Sequence, residues 1–186
     1  MKVTAELDRR FRDAAAASGD LDVAFDVVDT PIGELFVAVT PAGLCRISYD
    51  PERERVMESL ERKVGVRMLR APRAVDETRR QLDEYFEGRR TTFDLAIDLR
   101  VDAGFSRRVL DELVLVPYGE VTTYGELARR AEHPRAARAV GTVMNRNPIP
   151  IVLPCHRVVG SGGSLVGYGG GLDRKEALLR LEGAIL

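Results

Sequence analysis

Residues 160–171 read GSGGSLVGYGGG, seven glycines in twelve positions. Glycine gives up more conformational freedom in a regular element than any other residue, so that density fixes a loop. It is not a phosphate-binding loop of the G-x-x-x-x-G-K-[ST] type, because no Lys-Ser or Lys-Thr stands at the required place. Nor does G-x-G-x-x-G occur at a strand-to-helix turn of a βαβ unit. A flexible surface loop and a ligand wall both remain. Glycines let a ligand approach the backbone and leave N–H groups open, and Tyr168 in the middle of the run adds an aromatic platform.

Immediately before the loop stands PCHRVV, residues 154–159, with one of two cysteines beside one of two histidines. Cys155 can be a metal ligand, a packed thiol or a nucleophile. A structural zinc site needs closely spaced ligand pairs. Here the two cysteines are 110 residues apart and the two histidines 23, which argues against zinc. An apolar strand, IPIVL at 149–153, is expected to deliver Cys155 to its end beside His156 and Arg157. A thiol beside imidazole and guanidinium is placed for a lowered pKa. Cys45, between Leu44 and Ile47, reads instead as a buried structural thiol.

The rest of the chain divides in two. Residues 1–20 suggest an Ala-rich charged helix ending at Ser18-Gly19. VAFDVVDTPIGELFVAVTPAGLCRISYD alternates apolar and polar positions between Pro-Gly turns and predicts three consecutive strands. Residues 52–64 and 75–87 predict charged helices, and 91–99 another strand, with a boundary near Val101 to Gly104. Beyond it, a helix from about Ser106, taken as its cap, runs to about Val116. A short helix capped by Thr122 or Thr123 ends at Ala131, and a second runs from Arg135 to about Met144. Two short helices across a three-residue break fit a helix-turn-helix or a plain helical hairpin. Alanines and a glycine between Arg135 and Arg138 would let that helix lie close to another surface, with the arginines as donors. The last helix, LDRKEALLRLEG, is expected to pack Leu172, Leu178, Leu179 and Leu181 inward.

Charge adds little. The net charge is −1, yet residues 105–186 hold eleven Arg and Lys against eight Asp and Glu. That permits an approach to phosphates without demanding it. No window resembles a signal peptide or a membrane span, and two cysteines make no disulfide framework, so a soluble, cytoplasmic protein is expected.

Helical pair, then NRNPIPIVLPCHRVVG, then a glycine loop with a tyrosine, then a helix ending LEG: over residues 104–186 this resembles the O6-alkylguanine-DNA alkyltransferases, the methylated-DNA–protein-cysteine methyltransferases. DTPIGELFVAVTPAGL resembles the opening hairpin of that family's first domain. The resemblance implies an N-terminal helical extension (1–22), a ribonuclease H-like α/β domain (23–103) and a mainly helical DNA-binding domain with a helix-turn-helix (104–186). It implies transfer of an alkyl group from O6 of a flipped guanine to Cys155, irreversibly and once per molecule. His156 would take the proton through a water, Glu182 rather than Glu176 would polarise His156, and Asn147 would be the hinge residue. Tyr124, Val158, Tyr168 and Gly169 would contact the base. Thr123, Arg135, Ala136, Ala137 and Arg138 would meet double-stranded DNA in the minor groove, Arg138 filling the gap left by the base. No cofactor, metal or membrane is implied, and a monomer is expected in solution. Two alternatives are a lesion-binding protein that transfers nothing and, further off, a cysteine hydrolase.

Overall fold

The computed structural model describes residues 4–49, 53–100 and 104–185. The first residues of the expected leader helix (1–3), the start of the helix expected at 52 and the domain boundary expected at 101–103 lie outside them. The chain divides into two compact units, Met1–Glu87 with Phe93–Arg100, and Gly88–Thr92 with Val101–Leu186.

In the first unit α1 (Ala5–Ala17) begins where the Thr4 hydroxyl accepts the Leu7 N–H at 3.3 Å. The strands β1 (Val23–Val28), β2 (Leu35–Thr40) and β3 (Gly43–Ser48) form an antiparallel meander. A fourth strand absent from the sequence reading, β4 (Met68–Arg70), pairs parallel with β1 and makes the order β3-β2-β1-β4. Gly43 is required at the β2–β3 turn: its φ is +138° and a Cβ there would collide with the Ala96 carbonyl. On one face Val23, Phe36, Ala38 and Cys45 meet Val56 and Leu60 of α2 (Arg53–Lys63). The helix α3 (Asp76–Phe86) follows a 3-10 turn and places the Arg79 guanidinium on the buried Asp26 carboxylate at 2.8 Å.

The strand expected at 91–99 does not form. Only Ile97 bridges, to Leu44. The Gln81 amide takes both backbone groups of Asp94, each at 2.8 Å, and so occupies the positions a neighbouring strand would fill.

The second unit is mainly helical. α4 (Phe105–Val114), α5 (Tyr124–Arg130) and α6 (Ala137–Asn145) pack on one another through Val109, Leu110 and Leu113, Leu127 and Ala128, and Val140, Val143 and Met144. Each Val, Leu or Met among them, fully buried, is worth about 1.5–3 kcal/mol. Ser106 lies inside α4; its N-cap is Gly104, with no side-chain cap. Thr123 does cap α5, its hydroxyl accepting the Glu126 N–H at 3.1 Å. The pair β5 (Thr122–Thr123) and β6 (Val158–Val159) is parallel, and α7 (Leu172–Leu181) closes the unit. Leu178 and Leu179 are buried, but Leu172 at the first turn is 46% exposed.

Candidate active site

Ile149 to Val159 is buried at every residue, so PCHRVV runs through the middle of the second unit. The strand expected at 149–153 is a turn. Pro150 bridges Leu153, and Ile151 is held at φ +74°, a left-handed conformation that costs a β-branched residue on the order of 1–3 kcal/mol. Three prolines at 148, 150 and 154 remove the N–H groups a strand needs there. The Asn147 side chain braces the turn: its amide donates to the Leu153 carbonyl at 2.8 Å and its oxygen accepts the Ile149 N–H at 3.1 Å.

Cys155 to Arg157 then form a single 3-10 turn. This places the neighbouring side chains differently from an extended chain. The His156 imidazole is fully buried and its Nε2 lies 2.8 Å from Glu182 Oε1. Glu182 caps the end of α7 and is itself buried. If Nε2 carries the hydrogen donated to this carboxylate, Nδ1 is left as a lone-pair acceptor. Among the described residues Nδ1 is buried with no hydrogen-bond partner. Burial lowers the His156 pKa, while the bond and charge of Glu182 pull it upward.

The expectation of a lowered Cys155 pKa is overturned. Burial pushes the thiol up to about 11, against hydrogen bonding from the Asn147 side chain, the Lys175 charge and a bond from the Tyr168 side chain. Arg157 does not serve the sulfur. Its Nε and Nη2 go to Glu182, each at 2.9 Å, and its Nη1 to the Val116 carbonyl at 2.6 Å.

Sequence reasoning missed Lys175. This fully buried residue donates to the carbonyls of Val158 at 2.6 Å and Val166 at 2.9 Å, so it ties the glycine loop to β6. Its signal was present in the spacing: Lys175, Leu178, Leu179 and Glu182 fall at i, i+3, i+4 and i+7, one face of α7. The Tyr124 hydroxyl lies 3.3 and 3.4 Å from the Val166 and Gly167 carbonyls, and its ring rests on α6 at Gly141. Tyr168 is half-buried, and Gly169 is exposed beside the Asn145 carbonyl.

The remaining candidates do not reach the thiol. Arg135 and Arg138 are exposed and Ala136 and Ala137 half-buried, at and just before the start of α6. Glu176 is bonded to Arg180 on the outer side of α7 at 2.8 Å. No group of three or more His, Cys, Asp and Glu among the described residues could hold a metal ion. No described helix is long and apolar enough to cross a membrane.

What this site is built for can be set beside known proteins. Residues 23–99 match the family model for the 6-O-methylguanine DNA methyltransferase ribonuclease-like domain, and residues 104–184 the model for the DNA-binding domain of the same family. A methylated-DNA–protein-cysteine methyltransferase of Mycolicibacterium paratuberculosis is 44% identical over 165 residues, covering 86% of this chain and 92% of the relative. One from Methanosarcina barkeri is 39% identical, covering 85% and 96%. Among solved structures, Mycobacterium tuberculosis OGT in complex with DNA aligns with a TM-score of 0.76 at 40% identity, over 86% of this chain and 92% of that one.

Proposed function

Since the chain belongs to the 6-O-methylguanine DNA methyltransferase family, we propose that it repairs DNA by moving an alkyl group from O6 of guanine to its own Cys155. The observation that carries the residue assignment is the His156–Glu182 pair next to Cys155 in the chain, in which His156 binds the carboxylate through Nε2 and keeps a buried, unbonded Nδ1. A neutral buried thiol needs a base at the moment of reaction. His156 Nδ1 takes the thiol proton through one water, and Glu182 stabilises the imidazolium that results. The sulfur forms a bond to the alkyl carbon as the carbon–O6 bond breaks, and the electron pair leaves on guanine. The proton taken up by His156 is passed on to the guanine anion, so the products are a thioether, neutral guanine and the neutral imidazole. The thioether is stable, so each molecule reacts once.

A stacked base cannot reach a thiol this deeply placed, so the nucleotide is flipped out of the duplex. The first unit is read as the ribonuclease H-like domain. α5 and α6 act as a helix-turn-helix, and the small residues Ala136 and Ala137 suit the narrow minor groove. Arg135 and Thr123 hold the backbone, and Arg138 fills the space of the flipped base. Tyr124 leaves the loop carbonyls to donate to guanine N3, which steadies charge on the leaving group. The Val158 carbonyl accepts from the exocyclic amine, Tyr168 forms a wall, the Gly169 N–H donates to O6, and Asn147 is the hinge before the Cys155 turn.

The test is a duplex carrying radiolabelled O6-methylguanine. Label should pass to protein one-to-one and stay with the Cys155 peptide. Tight binding without transfer would make the protein a lesion sensor, and repeated turnover of esters or amides would make it a hydrolase; either result sinks the proposal.

A further inference from the structure

Arg157 has no task in the transfer just described, yet it is buried and fully engaged. Besides its fork on Glu182 and its bond to Val116, its guanidinium lies 5.8 Å from the centre of the Tyr118 ring. The Tyr118 hydroxyl in turn donates to the Leu181 carbonyl at 3.1 Å. The Glu182 carboxylate is thereby saturated. Oε1 faces His156 Nε2 at 2.8 Å and Arg157 Nη2 at 2.9 Å; Oε2 accepts from Arg157 Nε at 2.9 Å and the Gly119 N–H at 3.3 Å.

Building on the reading of His156 as base, we propose that Arg157 is a positioning residue acting through Glu182: its fork holds the carboxylate ionised and turned toward His156, and its charge keeps the resting imidazole neutral. A buried carboxylate must find a proton or a counter-charge. Were Arg157 absent, the remaining partner that could supply one is His156. The pair would settle as imidazolium and carboxylate, and the base would already hold the proton it has to accept. With Arg157 in place Glu182 is matched, and protonating His156 would set two cations on one carboxylate. The other groups facing His156 point the same way. Lys175 from α7 adds positive charge, Cys155 on the same turn is neutral at rest, and only Glu182 draws a proton toward the ring.

The experiment follows alkylation of Cys155 by iodoacetamide in the full chain without DNA, across pH, with the modified peptide identified by mass spectrometry. Methyl transfer from the duplex is measured in parallel. Arg157→Met should move the midpoint of the thiol profile to higher pH and lower the rate at pH 7 by about 10- to 100-fold, less than the loss of the acid–base group itself would cause. Arg157→Lys keeps the charge but loses the fork, so its midpoint should stay and its rate fall by less than about 10-fold. In a Glu182→Gln background, Arg157→Met should add no further loss, because its effect runs through that carboxylate. An unmoved midpoint in a folded Arg157→Met protein, or full additivity with Glu182→Gln, overturns the proposal. The unaltered protein covers a Met variant that does not fold. Nitrogen NMR should show His156 neutral at pH 7 with its hydrogen on Nε2, and a resting imidazolium there also overturns the proposal. Wild-type protein that takes no methyl group from DNA would sink the repair reading while leaving these thiol and imidazole measurements to stand by themselves.

Discussion

The two cysteines sit in comparable depth and in opposite company. Cys45 lies on β3 among Val23, Phe36, Val56 and Leu60, its thiol donating to the Ala38 carbonyl at 3.3 Å, and burial drives its pKa up to about 12. Cys155 lies in a 3-10 turn and burial drives it up to about 11. Burial therefore does not separate a structural thiol from a reactive one. The separation comes from the company each keeps. The Asn147 amide, the Tyr168 side chain and the buried Lys175 act on Cys155, which is followed in the chain by the His156–Glu182 pair. Cys45 packs among aliphatic and aromatic carbon with its thiol on a backbone carbonyl.

The harshest way to break this contrast is to remove each sulfur in turn. Cys155→Ser should abolish label transfer from O6-methylguanine, by about 10⁴-fold or more, since the hydroxyl is the far weaker nucleophile. Cys45→Ala should leave transfer within about twofold and lower the free energy of unfolding by about 1 kcal/mol, read from denaturant melts. Transfer that survives Cys155→Ser, or vanishes with Cys45→Ala, would end the distinction.

Glu182→Gln comes next. It keeps the shape of the side chain and leaves Arg157 buried without its counter-ion, which costs about 3–5 kcal/mol. Transfer in the protein that remains folded should fall by about 100-fold. Around Cys45 the charged groups, Asp98, Arg100 and Arg46, act only at a distance beside the larger effect of burial, and removing one of them should leave transfer within about twofold.

A pH titration of stability sharpens the likeness rather than the contrast. Both folded thiols hold their protons above the ordinary value of 9.0, so between pH 9 and about 11 to 12 the unfolded chain binds fewer protons than the folded one. Stability should therefore be undisturbed by these groups below pH 9 and fall as pH rises through that window. Chemical melts should show Cys45→Ala removing part of the decline, and alkylation of Cys155 removing another part.

The smallest effect is expected from Gly169→Ser. Gly169 is not in a left-handed conformation, and a Cβ there would meet the Asn145 carbonyl at an ordinary 3.8 Å. Stability should change by less than about 0.5 kcal/mol, and transfer by less than about threefold in single-turnover assays.

The readable parts of this molecule were those governed by local rules. The Pro-Gly turns announce β1 to β3, and Thr123 announces α5, because turn and cap chemistry acts over three or four residues. The parts that misled are decided at a distance. Residues 91–99 alternate like a strand, but Gln81, from α3, satisfies the backbone at Asp94. IPIVL is apolar enough for a strand, and its prolines and the left-handed Ile151 turn it instead. β4, at three residues, is too short for periodicity to register. Arg157 beside a thiol suggested a cation for the sulfur. Its partner is 25 residues downstream, a distance that adjacency in sequence cannot reveal.

The unbroken burial from Ile149 to Val159 has a consequence for endurance. Burial pushes the Cys155 pKa well above its ordinary value and holds the sulfur as the neutral thiol at pH 7. The anion, not the neutral thiol, is the nucleophile that attacks peroxides and disulfides. A molecule that can act only once has no second copy of its reagent, so a premature oxidation would retire it as surely as a repair. A sulfur kept buried and protonated is expected to outlast an exposed thiol in dilute peroxide, which mass spectrometry of the Cys155 peptide checks.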